Sequence, residues 1–452
     1  MTAVSVAPAV LEEPGQGSTP TARRRTVAPV SPERVHPVMR SWLRSQSISL
    51  QRHAAALRPF PAGEFGTGAA APSDGHLQAV NQLIETLRRD LLKLARQAVE
   101  AERVAVRERS TESLQDVVRR KQRGNDWVRA IEKIWDFYFE LFGQRQSRFG
   151  TWLLSTDRIA LDCYRTVYTA AGTPKKVPAP PPFTYMRTGF SPATYRRGIP
   201  LRRLGRQINP FPLIQLPYHR MVNPWTLGAV LHEVSHNLQS DLGLSRPVPR
   251  NIARRLLDAG LPASVAGTWA RWNREIFADL SGLLLGGPAV VGSLMDVIGR
   301  SPEQTLTFVA GKPHPTPYMR TLISCELLRR LGFVQAAARH SRAWRRIYPD
   351  PTAGNIPRAM LQTFDRANPI VVDAVCFQPY QELGNRTLAE IQGFRLDHQE
   401  MVEEAARRLA AGTDPGIVPE RFLIAAARHA LDNRLARPGV IATNFYRELE
   451  RR

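Results

Sequence analysis

Residues Asn223–Gly243 read NPWTLGAVLHEVSHNLQSDLG and form the most informative segment of this 452-residue sequence. Apolar residues recur within it at three- and four-residue steps, a pattern that predicts an amphipathic α-helix. The apolar positions are Leu227, Val230, Leu231, Val234 and Leu238. Asn223 suits the N-cap of such a helix, Pro224 suits its first turn and Gly243 suits its end. The segment is therefore predicted to be helical.

Two histidines and a glutamate in this segment have the spacing of a metal site. His232 and His236 are four residues apart, so both imidazoles leave the same face of the helix and can bind one ion. Glu233 lies next to the first histidine and is angled towards a water molecule rather than towards the metal. We expect one zinc ion (Zn²⁺), with Glu233 as the catalytic base. The alternative is a surface helix with two solvated histidines.

A second predicted helix, over residues 264–285, supplies carboxylates for the same site. Glu275 and Asp279 are four residues apart on one face of an apolar helix, where two acids are costly unless they are paired or bound to metal. We predict Glu275, 39 residues after the second histidine, as the third metal ligand. Asp279 is predicted to accept a hydrogen bond from a ligand imidazole. Alternatively, these acids form ordinary surface ion pairs with Arg271 or Arg274.

Three sequence elements carry a resemblance to a known family. They are His232-Glu233-x-x-His236, Arg274-Glu275-x-x-Ala278-Asp279 and His314-Pro315-Thr316-Pro317-Tyr318-Met319-Arg320. In type and order they resemble the gluzincin metallopeptidases, and more narrowly the branch that includes the CAAX prenyl proteases and the bacterial heat-shock membrane protease. The resemblance covers only residues 223–330.

The resemblance implies a zincin-like catalytic domain that hydrolyses peptide bonds in a protein or peptide substrate. It also implies that His314 and Arg320 line the site near the oxyanion of the attacked carbonyl, with Tyr318 as an alternative donor. Without the resemblance, His314 is equally well a helix-capping residue and Arg320 a surface arginine. In the zincin arrangement the strand-like Pro212–Tyr218 is the edge strand along which the substrate lies, although its prolines also fit a loop.

Composition changes along the chain, together with the resemblance, which implies the zincin-like domain, predict a mainly α (α+β) protein in four parts. These are a disordered basic arm rich in Pro, Ala and Arg (1–73), an N-terminal helical region (74–173), a zincin-like metallopeptidase domain with a small sheet (183–348) and a C-terminal helical region (369–452). Helical periodicity predicts a hairpin in the second part, with one helix starting near Asp74 and the other over Leu114–Phe142. A proline-rich linker is predicted over Pro174–Pro182.

The sequence favours a cytoplasmic protein. The apolar segment Leu280–Gly299 is interrupted by Gly-Gly-Pro and contains Asp296, so two buried helix segments are predicted rather than a membrane span. The N-terminus lacks the pattern of a signal peptide. Three widely spaced cysteines offer no disulfide framework, which is compatible with a reducing compartment.

The formal net charge of +22 raises the question of a nucleic-acid partner. Only six of the 62 basic residues are lysines, and such an arginine excess also fits a GC-rich genome. The sequence is therefore compatible with two kinds of protease. One is a general metallopeptidase, and the other is a DNA-associated protease that makes a weak nucleic-acid contact through the basic arm. The sequence is also compatible with a regulatory or toxin-like protease that has one target, and with a non-catalytic zinc-containing scaffold that binds partners.

Overall fold

The computed structural model describes residues 37–172, 179–189, 192–200 and 207–452. Within these ranges the chain is mainly helical and has one small three-stranded sheet, so the predicted mainly α (α+β) class is confirmed. Residues 174–178 of the predicted linker and residues 1–36 of the predicted arm lie outside the described ranges.

Three long helices form the N-terminal part: α1 (Pro37–Ala56), α2 (Asp74–Glu108) and α3 (Thr111–Gly143). The hydroxyl groups of Ser73 and Ser110 accept hydrogen bonds from backbone N–H groups in the first turns of α2 and α3, as N-cap residues do. The two helices pack against each other along their lengths. The predicted helical hairpin is therefore confirmed.

The predicted disordered arm is wrong for residues 37–73. α1 buries Leu43, Leu50 and Ala54 against the hairpin, and Phe60 and Phe65 pack into an aromatic cluster with α3. The buried positions of α1 recur at three- and four-residue steps, which give a helix one apolar face. That pattern outweighs the Pro, Ala and Arg content that favours disorder.

The sheet lies between the hairpin and the rest of the chain, next to α4 (Gly150–Ala171). Its strands are β1 (Phe183–Met186), β2 (Ala193–Tyr195) and β3 (Leu213–Leu216). β3 occupies the centre, paired parallel to β1 and antiparallel to β2. The predicted strand Pro212–Tyr218 thus exists as β3. It cannot be the edge strand for a substrate, because both of its sides are already paired.

The remaining elements of the described chain are helices. Their bounds are α5 (Tyr218–Val222), α6 (Gly228–Asp241), α7 (Pro247–Asp258), α8 (Ala263–Arg271), α9 (Asn273–Gly286), α10 (Ala289–Ile298), α11 (Pro302–Thr305), α12 (Pro317–Arg330), α13 (Val334–Ile347), α14 (Arg358–Cys376), α15 (Leu388–Gln392), α16 (Leu396–Ala411), α17 (Phe422–Asp432) and α18 (Pro438–Arg451).

The helix that carries the two histidines starts later than predicted. Pro224–Thr226 forms a 3₁₀ turn, and α6 begins only at Gly228. The Asn223 side chain makes no capping bond there, although its carbonyl accepts a hydrogen bond from the N–H of Thr226. Gly243 follows the end of α6 with φ +78°, a conformation that favours glycine, so the predicted end is correct.

Two other predicted boundaries differ from the structure. The single helix predicted over residues 264–285 is divided into α8 and α9 at the buried Trp272. The boundary predicted at residue 369, where the C-terminal region was expected to begin, falls inside α14, because this helix continues through Pro369. Buried residues on both sides of that proline, among them Phe364 and Val371, hold the helix together where one hydrogen bond is missing.

One large hydrophobic core extends from α4 to α18 and contains α6 and α9 at its centre. α6 and α9 approach closely because small residues of α9 face α6. A Cβ atom on Gly286 would lie only 2.6 Å from Leu231 Cδ2, and one on Gly282 would lie 3.4 Å from the His232 backbone nitrogen. This close contact fixes the distance between the histidines of α6 and the acids of α9.

No helix within the described ranges has both the length and the apolar character needed to cross a membrane. The apolar segment Leu280–Gly299 is divided between α9 and α10, as its Gly-Gly-Pro interruption predicts.

Candidate metal centre

α6 and α9 bring the predicted metal ligands into one place. His232 and His236 leave the face of α6 that packs towards α9, and Glu275 lies in the first turn of α9. Gln239 Nε2 donates a hydrogen bond of 2.9 Å to Asn273 Oδ1, which joins the end of α6 to the start of α9. The separation of the two helices at this point is therefore fixed by a buried polar contact as well as by packing.

The candidate ligand atoms lie within 4.8 Å of one another. The Nε2 atoms of His232 and His236 are 3.2 Å apart. Glu275 Oε2 is 3.5 Å from His232 Nε2, and Glu275 Oε1 is 3.5 Å from His236 Nε2. These three residues therefore form a group that can hold a metal ion.

Asp279 lies behind this group, one turn further along α9. Its Oδ1 atom is 2.9 Å from His232 Nδ1, on the side of the imidazole opposite the candidate metal position. The Asp279 side chain is only 4% exposed. The structure thus places the Asp279 carboxylate beside a candidate ligand imidazole, as predicted, and the contact is with Nδ1 of His232.

Arg320, on α12, forms a bidentate pair with Asp279. Its Nε and Nη2 atoms each donate a 2.7 Å hydrogen bond to one oxygen of that carboxylate, and Nη2 is also 3.7 Å from Glu275 Oε2. Arg320 lines the cavity, as predicted, but its guanidinium group is engaged by the two acids. Neither Arg271 nor Arg274 forms the surface ion pair considered for these acids.

The charges of the site alter the pKa values of its members. Burial raises the pKa of Glu233 to about 7, and Glu275 adds to that rise while His232 and Arg320 oppose it. Burial disfavours the charged form of His232, but Asp279 and Glu275 outweigh it and raise the pKa of His232 to about 10. Burial and the neighbouring His232 lower the pKa of His236 to about 3. The carboxylates thus favour a proton or another cation at His232.

A cavity of about 400 Å³ opens over the ligand group and has two unlike sides. The polar side carries Glu233, Arg274, Glu275, His314 and Arg320. The other side is apolar and is formed by Leu283 of α9 with Val290, Val291, Leu294 and Val297 of α10. Pro192 and Thr194, at the outer strand β2, also line it. Such a cavity can receive an apolar group next to the candidate metal position.

His314 lies at the cavity, where the resemblance implied. It belongs to the loop before α12, its side chain is 63% exposed, and its Nε2 atom is 3.5 Å from Glu275 Oε1.

The prediction of Tyr318 as an alternative donor in the site is wrong. The residue is buried in the hydrophobic core and does not line the cavity. Its carbonyl accepts a hydrogen bond from Trp344 Nε1 at 3.0 Å. Tyr318 lies two positions before Arg320 on α12, and residues two apart leave a helix on nearly opposite sides. Since Arg320 faces the cavity, Tyr318 cannot.

Sequence reasoning missed two features of the cavity. Arg274 was considered only as an ion-pair partner of the acids, whereas it lines the cavity. β2 was not predicted as a strand, yet Thr194 lines the cavity and its hydroxyl accepts a hydrogen bond from Asn237 Nδ2 on α6 at 3.1 Å. Neither feature has a sequence pattern of its own, because each depends on how α6, α9 and the sheet pack.

Comparison of the chain with protein-family models, with curated proteins and with solved structures returned no match. Any functional conclusion therefore depends on the arrangement of side chains at this centre and on its chemistry.

Proposed function

We propose that this protein is a zinc-dependent metallopeptidase in which Glu233 is the general base. The observation that carries the proposal is the convergence of three potential ligands, His232, His236 and Glu275, beside Glu233 in one cavity. Two histidines and one glutamate form a ligand set typical of catalytic zinc, which keeps a further position open. The first two of the three motifs that resemble gluzincins contribute all four of these residues.

The spacing of the two imidazoles is compatible with a zinc ion. With metal–ligand distances of about 2.0–2.1 Å, two ligands of a tetrahedral zinc ion are about 3.3–3.4 Å apart. The Nε2 atoms of His232 and His236 are 3.2 Å apart, and each lies 3.5 Å from a different oxygen of Glu275. The two imidazoles therefore need little adjustment to bind one ion.

Asp279 and Arg320 prepare His232 as a ligand in this proposal. Asp279 Oδ1 lies 2.9 Å from His232 Nδ1 and can accept its proton, which would leave the Nε2 lone pair free to bind a metal ion. Arg320 holds both oxygens of Asp279 and so fixes the orientation of the carboxylate. Arg320 is therefore a positioning residue, and His314 is the better candidate to donate a hydrogen bond to the carbonyl oxygen of the substrate.

Glu233 is suited to proton transfer because it is the uncommitted acid of the site. Glu275 and Asp279 are both in contact with cationic or imidazole groups, whereas Glu233 makes no ion pair or hydrogen bond with any described residue. When bound, a zinc ion would act as a Lewis acid towards water and the peptide carbonyl. Glu233 takes the proton of the attacking water and passes it to the leaving amine.

The cavity also fits an extended peptide. β2 is an outer strand of the sheet, and its Thr194 lies at the cavity. Among the described residues no strand pairs with the side of β2 away from β3, so this side can offer backbone groups to a substrate strand. The apolar side of the cavity accommodates a substrate side chain of similar character. In this role β2 replaces β3, which is paired on both sides.

The test is the Glu233→Gln variant, assayed on a mixture of peptides with cleavage read by mass spectrometry. The variant should retain zinc but lose hydrolysis by a factor of about 10² or more, because the amide cannot accept the proton. Glu404→Gln, at an exposed position of α16, is the matched control and should cleave like the wild type. Equal cleavage by Glu233→Gln would contradict the proposed base. A zinc-loaded wild type that cleaves no peptide would favour the scaffold.

A further inference from the structure

The cavity contains one charged side chain, Arg274, that the proposed mechanism does not use. Arg274 lies in the first turn of α9, directly before Glu275. It lines the cavity and is exposed to it. Within the described part of the chain its guanidinium group makes neither an ion pair nor a hydrogen bond. A cation is thus presented beside the candidate metal ligands without a partner among the described residues.

The charges of the site leave Arg274 uncompensated. Arg320 is neutralised by its bidentate pair with Asp279. The remaining carboxylates, those of Glu233 and Glu275, balance the two positive charges of a bound zinc ion. Once the metal is present, the cavity therefore carries one surplus positive charge, at Arg274, and an anionic ligand group is favoured there.

Helix stability does not explain an arginine at this position. The first turn of a helix presents unpaired N–H groups, so it favours acids and disfavours cations. The backbone position is also well fixed, because the neighbouring Asn273 is buried, accepts a hydrogen bond from Gln239 Nε2 and donates one to the Ala270 carbonyl at 2.8 Å. Arg274 therefore extends from a rigid base into the cavity, as a recognition residue requires.

We propose that Arg274 binds a carboxylate of the peptide substrate while a neighbouring apolar side chain of the substrate packs on α10. This inference rests on the proposed zinc-peptidase function and adds a substrate class to it. A guanidinium group presents paired N–H donors that match the two oxygens of a carboxylate. The carboxylate is supplied either by the C-terminus of the substrate or by an acidic side chain near the cleaved bond.

The experiment measures binding of metal-directed probes to the zinc-loaded full-length chain by isothermal titration calorimetry. Mercaptoacetyl-leucine carries a thiol for the metal, an apolar side chain and a terminal carboxylate, and its amide differs only in lacking that charge. Mercaptoacetyl-leucyl-glutamyl amide instead places the carboxylate on a side chain. The proteins compared are the wild type, Arg274→Gln and the control Arg271→Gln, whose exposed arginine on α8 does not line the cavity.

We expect the wild type and Arg271→Gln to bind one of the two acids roughly tenfold or more tightly than the neutral amide, as a charge-assisted pair would give. In Arg274→Gln that preference should disappear while the amide binds as in the wild type. The acid that is preferred identifies the source of the carboxylate. Equal binding of the acids and the amide by the wild type would overturn the inference. A preference for an acid over the amide that survives in Arg274→Gln would also overturn it, and so would loss of that preference in the control Arg271→Gln. If no probe binds at all, the zinc-peptidase proposal fails and this inference fails with it.

Discussion

Asp279 contacts both a candidate metal ligand and a buried arginine, so its replacement has two separable effects. Asp279→Ala should lower zinc affinity about 10- to 100-fold, because His232 loses the acceptor that orients its imidazole. It should also destabilise the fold by up to about 3–5 kcal/mol, because the buried Arg320 loses its bidentate partner and keeps only the longer contact with Glu275. Chelator competition measures the first effect and urea unfolding of the metal-free protein measures the second.

The double variant Asp279→Ala/Arg320→Met distinguishes the two effects. It should recover much of the lost stability, because no unpaired charge remains, but not the zinc affinity. Unchanged zinc affinity in Asp279→Ala would show that the carboxylate serves only to neutralise Arg320.

At the scale of single residues, local spacing predicted positions better than roles. Adjacent or four-residue spacing was enough to group the candidate residues within each helix. These residues are His232, Glu233 and His236 on α6, and Glu275 and Asp279 on α9. The pairing of Arg320 with Asp279 joins residues 41 positions apart, so no local pattern announces it. The prediction that Tyr318 donates a hydrogen bond in the site was wrong for a reason available in the sequence, since Tyr318 lies two residues before Arg320 on the same helix. The cavity position of Arg274 required the tertiary structure.

Asp373 connects three helices and should give the fold a pH-dependent contribution. It lies on α14 and is 2.7 Å from Arg255 Nη2 of α7 and 2.8 Å from Arg330 Nη2 of α12. Partial burial opposes the charged form of Asp373, but Arg330, Gln378 and Arg255 outweigh it and lower the pKa of the carboxylate.

Because the folded-state pKa of Asp373 lies below its unfolded value, the stabilisation is complete above about pH 4–5 and disappears as the pH falls through the folded pKa. Asp373→Asn should therefore lower the free energy of unfolding at neutral pH, by about 1 kcal/mol per partly exposed pair. The difference from the wild type should shrink in acid. Urea unfolding at pH 7 and at pH 3 tests this, with Asp397→Asn as the exposed control. An equal difference at both pH values would contradict the assigned ion pairs.

At the scale of elements, long periodic segments were predicted correctly and interruptions were not. α2 and α3 have the predicted positions, since their apolar periodicity extends over many turns. The break between α8 and α9 at Trp272 has no Gly or Pro to announce it, and the continuation of α14 through Pro369 goes against the helix-breaking tendency of proline. Both are decided by packing, as is the central place of β3 in the sheet.

At the scale of the whole molecule, the main hydrophobic core crosses the predicted domain limits. The main hydrophobic cluster includes α4, assigned to the N-terminal region, and α17 and α18, assigned to the C-terminal region, together with the helices of the candidate metal centre. The sequence could not indicate this, because composition marks linkers but not which surfaces pack together. The candidate metal centre is therefore packed against helices that precede it and helices that follow it in the sequence.

The zinc content of the purified full-length protein, measured by elemental mass spectrometry beside Glu275→Ala and the control Glu404→Ala, tests the proposed metal site most directly. We expect one zinc ion per chain in the wild type and in the control, and strongly reduced zinc in Glu275→Ala, with similar thermal unfolding of all three metal-free proteins. Full zinc retention by Glu275→Ala would show that the third ligand is another residue. A wild type that binds no zinc, even after incubation with the ion, would contradict the central claim.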